Sequence, residues 1–90
     1  MKVYFQSDGC STLFMKDIEE LEMTLEAEQN EFYYGEEVSD EQKNKEFLNT
    51  IETLESMNVG DEPIRQYEFS WGVQEMTEEE FNELGEFQGF

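Results

Sequence analysis

Repulsion between carboxylates is the main obstacle to folding this chain. Its 90 residues carry 24 acidic side chains, five basic ones and no histidine, so the formal net charge is −19. A chain with so much charge and few apolar groups would stay disordered, because burial could not offset the entropy of ordering. Here aromatic residues make up 14% of the sequence, and they follow regular patterns. We therefore expect one folded domain over residues 1–90 with a small core.

Strand-forming residues at the start of the chain predict a β-hairpin. Segments 2–7 and 10–15 are rich in aromatic and β-branched side chains, which favour strands. Asp8 and Gly9 lie between them and suit a two-residue turn in which both central residues have positive φ. The sequence therefore predicts two antiparallel strands joined by a tight turn.

The acidic segment over residues 18–28 has two interpretations. Leu21 and Leu25 recur at helical spacing, and Asp17 with an acid three residues later resembles a capping box. Met23 does not fit that stripe, and the alternation of apolar and polar residues through it would suit a strand. Glu and Ala favour a helix over a strand. We expect a helix, and the strand stays open.

The middle of the chain predicts a short strand or a loop, followed by a long helix. The aromatic residues of 31–35 suit a strand that ends at Gly35, or a loop that folds onto the core. Ser39 and Gln42 form a capping box that opens the helix, and Gly60 is placed to end it. The expected buried stripe of this helix is Phe47, Leu48, Ile51 and Leu54.

Strict alternation over residues 63–75 predicts one half-buried strand. Its apolar face consists of Tyr67, Phe69, Trp71 and Val73. Thr77 and Glu80 then form a capping box that opens a last helix, with Phe81 and Leu84 facing inward. We expect an α+β fold: a small antiparallel sheet with two to three helices packed on one face, in a single domain.

Several kinds of chemistry are excluded by the residues that the chain lacks. Without histidine there is no histidine base or ligand, and the single Cys10 excludes an intramolecular disulfide. No P-loop, G-x-G-x-x-G or EF-hand pattern is present. We therefore expect no enzyme activity, cofactor or metal. No apolar run approaches the roughly 20 residues that span a membrane, and a negative chain should bind neither anionic lipid nor nucleic acid directly.

The negative charge is concentrated in three segments. These are the stretch 17–28, the loop 36–41 and the last helix, and residues 75 to 86 hold six acids and no basic residue. Acids of like charge at i, i+4, such as Glu22 with Glu26, weaken a helix, so stability does not explain them. The residues that we expect to bind a partner are Glu19, Glu20, Glu22, Glu26, Glu36, Glu37, Asp40, Glu41, Glu78, Glu79, Glu80 and Glu83.

A surface of this kind could imitate the charge of DNA. Duplex DNA carries about one negative charge per 1.7 Å of its axis, and one helix with a carboxylate per turn is sparser than that. Two or three acidic elements side by side come closer. The partner would be a basic nucleic-acid-binding protein, and salt would weaken the complex.

In length, acidity and lack of catalytic motifs, the chain resembles the small acidic inhibitors made by phages and mobile elements. This class includes anti-CRISPR proteins, anti-restriction proteins and uracil-DNA glycosylase inhibitors, many of which are DNA mimics. The resemblance lies in composition over the whole chain, and no family motif transfers a role to a residue. It implies an inhibitor that binds a host nuclease or a CRISPR or restriction effector in the bacterial cytoplasm and blocks its access to DNA.

Two other interpretations stay open. The chain could be a regulatory or toxin-neutralising module that binds through its sheet edge and its apolar tail at 86–90. The same edge or tail could join two copies, so both a monomer and a homodimer are compatible with the sequence. Alternatively, the acids could serve only solubility at high salt, in which case the domain should unfold in dilute buffer.

Overall fold

The computed structural model describes residues 1–84, which fold into a four-stranded antiparallel sheet and three helices. The elements are β1 (Lys2–Ser7), β2 (Thr12–Met15), α1 (Ile18–Phe32), α2 (Asp40–Ser56), β3 (Ile64–Gln66), β4 (Phe69–Glu75) and α3 (Glu78–Glu83). The strand order is β2-β1-β4-β3. The predicted α+β class is confirmed. Within residues 1–84, no helix is both long and apolar enough to cross a membrane.

The main core lies between one face of the sheet and helices α1 and α2. Tyr4 is paired in register with Met15 and Val73, so these three side chains share that face. Helix α1 contributes Leu21 and Leu25 to the same cluster. Its other buried members are Ile51, Leu54, Met57, Tyr67 and Trp71. Trp71 is completely buried, as the predicted core role requires.

The opposite face of the sheet is covered in part by its own aromatic side chains. Phe5 pairs in register with Gly72, and a Cβ added at Gly72 would lie 2.7 Å from the Phe5 Cζ atom. The Phe5 ring therefore packs directly on the backbone of β4, which is a role that glycine allows in a strand. Phe14 of β2 meets Phe5 edge-on, with ring centroids 6.5 Å apart.

The turn between β1 and β2 has four residues, so the predicted two-residue turn is wrong. Ser7 pairs with Thr12, and only Gly9 of the turn has positive φ, at 99°. The Asp8 carboxylate accepts hydrogen bonds from the backbone N–H groups of Ser11 and Cys10, each at 2.8 Å. These bonds lower the pKa of Asp8. They also stabilise the turn by satisfying two of its backbone N–H groups.

The acidic segment after the hairpin is a helix, and the strand alternative is wrong. Met23 points away from the core and is 71% exposed. Asp17 caps α1 by accepting from the Glu20 N–H at 2.9 Å. The Glu20 carboxylate accepts from the Lys16 N–H, one residue before the position that a capping box uses.

The same helix extends through Phe32, so the predicted strand at 31–35 is also wrong. Tyr33 caps the helix, and Gly35 follows in a turn at a φ of 79°. The three aromatic residues lie at the end of a helix because the preceding segment is rich in helix-forming residues. Tyr34 is 89% exposed there.

The predicted strand at 63–75 is two strands joined by a two-residue turn. Gln66 pairs with Phe69, and the turn residues Tyr67 and Glu68 have φ values of 54° and 70°. This left-handed conformation costs about 1–2 kcal/mol per residue outside glycine. Tyr67 is held in it by burial and by a hydrogen bond from Gln29 Nε2 to its hydroxyl at 2.7 Å.

For α2 and α3, the predicted first residues are correct, but two side chains that were predicted to be buried are not. Ser39 caps α2 by accepting from Gln42 N–H, and the Thr77–Glu80 capping box is complete. The amide of Gln42 is directed to Glu46 instead of completing its box. Leu48 and Leu84 are about half exposed, at 57% and 48%, so their predicted burial is wrong. Gly85 and the aromatic tail lie outside the described residues.

Candidate functional site

All twelve carboxylates predicted to bind a partner lie on the surface of the protein. We call this set the acidic surface. Four belong to α1, four to the loop 36–41 and the start of α2, and four to α3. Its members are Glu19, Glu20, Glu22, Glu26, Glu36, Glu37, Asp40, Glu41, Glu78, Glu79, Glu80 and Glu83, and each is exposed.

Three members of the acidic surface form a hydrogen bond or an ion pair with another residue. Glu20 and Glu80 accept from the backbone N–H groups of Lys16 and Thr77, and Glu78 forms an ion pair with Lys16 at 3.3 Å. The other nine side chains make no hydrogen bond or ion pair with any residue in 1–84. Most of these carboxylates therefore form no direct bond within residues 1–84.

Lys16 joins two of the three acidic groups. Its backbone N–H donates to the Glu20 carboxylate at 3.1 Å, while its ammonium pairs with Glu78. The first turn of α1 and the first turn of α3 therefore lie on either side of one residue, although about 60 positions separate them in sequence. The ion pair is exposed and contributes little stability. It shows that α1 and α3 are close together.

The third acidic group meets α1 further along the helix. Glu26 and Asp40 line one groove of about 370 Å³, together with Lys43 and Phe47. Glu19, Glu22 and Glu26 follow the i, i+3, i+7 spacing, so they form one stripe on α1. Helix α1 is thus close to α3 at its own first turn and close to Asp40 at Glu26.

The density of charge along α1 can be compared with that of DNA. The helix has 15 residues, including six glutamates, and is about 22 Å long. A duplex of that length carries about 13 phosphates. Four of the six glutamates belong to the acidic surface, so they supply about a third of that charge, and the two flanking acidic groups raise the number. The contacts place α1 near each of the other two acidic groups, at Lys16 and at the groove that Glu26 and Asp40 share.

A hydrogen-bond network fixes the end of α1 against α2. The Tyr33 hydroxyl donates to the Glu46 carboxylate at 2.8 Å, and Gln42 and Gln66 also donate to that carboxylate. The bond to Glu46 raises the pKa of Tyr33 to about 12. Sequence reasoning missed this network, because its partners come from three separate elements.

A second concave feature lies beside the acidic surface and was not predicted. Its walls are the last turns of α1 and the turn between β3 and β4, and its volume is about 560 Å³. We call it the aromatic groove. Its lining consists of Glu28, Glu31, Phe32, Tyr67, Glu68 and Phe69. It was missed because Glu68 was placed in the middle of a strand, away from α1.

In residues 1–84, no group of three or more Cys, Asp or Glu side chains is arranged to hold a metal ion. Cys10 is exposed in the first turn.

Comparison with known protein families, curated proteins and solved structures gave no match. The charge and geometry of the surface therefore carry the functional evidence.

Proposed function

We propose that this protein is a non-enzymatic inhibitor that binds the basic, nucleic-acid-binding surface of another protein. The acidic surface occupies the position of DNA on that partner, which we expect to be a nuclease or a CRISPR or restriction effector. The observation that carries the proposal is the set of nine exposed carboxylates that make no bond within residues 1–84, spread over α1, α3 and the segment from 36 to the start of α2.

The energetic argument starts from the cost of this arrangement. Like charges at i, i+4 occur in the pairs Glu22–Glu26 and Glu79–Glu83, and each destabilises its helix by a few tenths of a kcal/mol. A basic surface would remove this repulsion in the complex and would release ions from both partners. Binding should therefore be strongest at low salt.

The acidic surface is better supported than the alternative interaction module. The two edge strands that could add a strand of another protein are β2 and β3, with four and three residues. Short edges limit strand addition. The aromatic tail, the other part of that alternative, lies outside the described residues.

Affinity capture from a bacterial lysate tests the proposed function. Tagged protein is immobilised, bound proteins are eluted in steps of rising salt, and they are identified by mass. We expect a nuclease or effector that elutes as salt rises and is released by duplex DNA. Capture of only salt-resistant proteins that DNA does not release would contradict the proposal.

A matched pair of variants assigns binding to the acidic surface. The double reversal Glu22→Lys with Glu79→Lys changes two of its exposed, unpaired members. Glu52→Lys with Glu62→Lys makes the same change in net charge at exposed acids outside it. We expect the first variant to lose capture and the second to keep it. Equal losses would show that only net charge matters.

A further inference from the structure

The aromatic groove exposes apolar surface that the core does not need. Phe32 lies at the end of α1 and is 46% exposed. Its ring contacts those of Tyr67 and Tyr33, with centroids 5.3 Å and 5.1 Å away. Phe32 therefore packs against two rings and still lines the groove. A held, exposed aromatic ring is a common anchor for a cationic side chain.

The walls of the groove carry negative charge that no basic side chain in residues 1–84 pairs with. Glu28, Glu31 and Glu68 line it, and Glu28 is only partly exposed. None of the three side chains makes a hydrogen bond or ion pair with any residue in 1–84. Three carboxylates that line one groove attract a cation, and Glu31 and Glu68 are exposed to it.

The chain's own arginine does not supply that cation. Arg65 lines a neighbouring hollow that shares Phe32, Tyr67 and Glu68 with the groove. It forms no ion pair with any acid of the described residues. The charge of the groove is therefore available to a group from outside the chain.

We propose that the aromatic groove binds an arginine side chain of the partner protein. A guanidinium is planar, so it can stack on the Phe32 ring, and its five N–H donors can reach carboxylates on both walls. An ammonium has neither property. The volume of about 560 Å³ is sufficient for one such side chain.

This inference deepens the proposed function and rests on it for the basic character of the partner. It uses none of the twelve members of the acidic surface. The groove would select one arginine by shape, while the acidic surface attracts the partner by charge. Stacking on Phe32 adds a contact that salt does not screen, so binding in the groove should depend less on salt than binding to the acidic surface.

The test needs no partner protein. Isotope-labelled protein is titrated with N-acetyl-arginine amide and, separately, with the corresponding citrulline and lysine compounds, and backbone amide shifts are followed by NMR. Citrulline keeps the shape of arginine without its charge. We expect saturable shifts at Phe32, Tyr67 and Glu68 with arginine, weaker ones with lysine and none with citrulline.

Variants separate a groove from general charge attraction. We expect Phe32→Leu and Glu68→Gln each to weaken arginine binding about two- to fivefold, with circular dichroism confirming that both variants fold. Glu52→Gln on α2 removes the same charge at an exposed acid outside both the groove and the acidic surface, and should leave binding unchanged. Shifts spread equally over all acidic elements, or binding insensitive to both groove variants, would overturn the inference.

The two proposals can fail separately. If arginine binds in the groove but the protein does not displace DNA from a captured partner, the proposed function is wrong and the groove stands. If DNA is displaced but no arginine shifts occur at the groove, this inference alone is wrong.

Discussion

Two buried glutamines differ in whether their amides are satisfied. Gln6 of β1 is completely buried, and neither its amide nitrogen nor its oxygen has a hydrogen-bond partner in residues 1–84. Gln29 of α1 is 5% exposed, and its amide donates to the Lys43 carbonyl and the Tyr67 hydroxyl. A buried polar group without a partner costs about 1–3 kcal/mol. The two residues should therefore respond oppositely to the same substitution.

We predict that Gln6→Met raises the free energy of unfolding by about 1–3 kcal/mol, because it removes an unsatisfied amide at similar volume. Gln29→Met should lower it by a similar amount, because the Tyr67 hydroxyl and the Lys43 carbonyl lose their donor. Urea unfolding followed by tryptophan fluorescence measures both. A destabilising Gln6→Met would mean that the amide is satisfied in solution.

Tyr33 gives the protein a dependence on alkaline pH. Its hydrogen bond to Glu46 raises the pKa of the Tyr33 hydroxyl to about 12, from about 10 in an unfolded chain. The folded state therefore holds this proton more tightly. The resulting stability is fully present below about pH 10 and is lost as pH rises towards 12.

The prediction is that Tyr33→Phe flattens the fall in unfolding free energy between about pH 10 and 12. Glu46→Gln should lower the pKa of Tyr33, since it removes the accepting carboxylate and its charge. Titration of tyrosinate absorbance measures the pKa, with Tyr34→Phe, which removes an 89% exposed ring, as the control. Superimposable curves for wild type and Glu46→Gln would contradict the assignment.

At the scale of elements, helix starts were predictable and the second hairpin was not. The caps at Asp17, Ser39 and Thr77 depend on residues three positions apart, so the sequence contains the whole interaction. The Tyr67–Glu68 turn depends on Gln29 and Phe32, which lie far away in sequence. Neither turn residue favours positive φ, so local propensity predicted a continuous strand.

The left-handed conformation of this turn should lower the stability of the fold. We predict that Glu68→Gly raises the free energy of unfolding by about 1 kcal/mol, because glycine adopts a φ of 70° without the left-handed penalty. Glu62→Gly removes the same charge outside that turn and should not stabilise the protein. Thermal unfolding compares the two, and equal effects would show that charge, and not backbone conformation, dominates.

At the scale of the whole molecule, the sequence predicted which carboxylates are exposed but not which acidic segments lie close together in space. Their exposure follows from the apolar stripes of the helices, which are local patterns. The approach of α1 to α3 at Lys16, and of Glu26 to Asp40 across a groove, depends on tertiary packing. The aromatic groove was missed for the same reason.

The net charge of −19 predicts a salt-dependent stability. The screening length falls from about 30 Å at 0.01 M salt to about 8 Å at 0.15 M, so repulsion within the acidic surface weakens. We expect the unfolding midpoint to rise over this range and the domain to remain folded at the low end. Unfolding in dilute buffer would instead support the interpretation that the acids serve only solubility at high salt.

The most direct measurement of the central claim is competition for the partner's nucleic-acid site. Labelled duplex DNA is bound to the captured partner at fixed salt, and this protein is added while fluorescence anisotropy is followed. Mimicry predicts complete displacement of the DNA, and the apparent affinity of the partner for DNA should fall in proportion to added protein. The Glu22→Lys, Glu79→Lys variant should displace no DNA. A ternary complex that retains the DNA would contradict the claim that the acidic surface occupies the place of DNA.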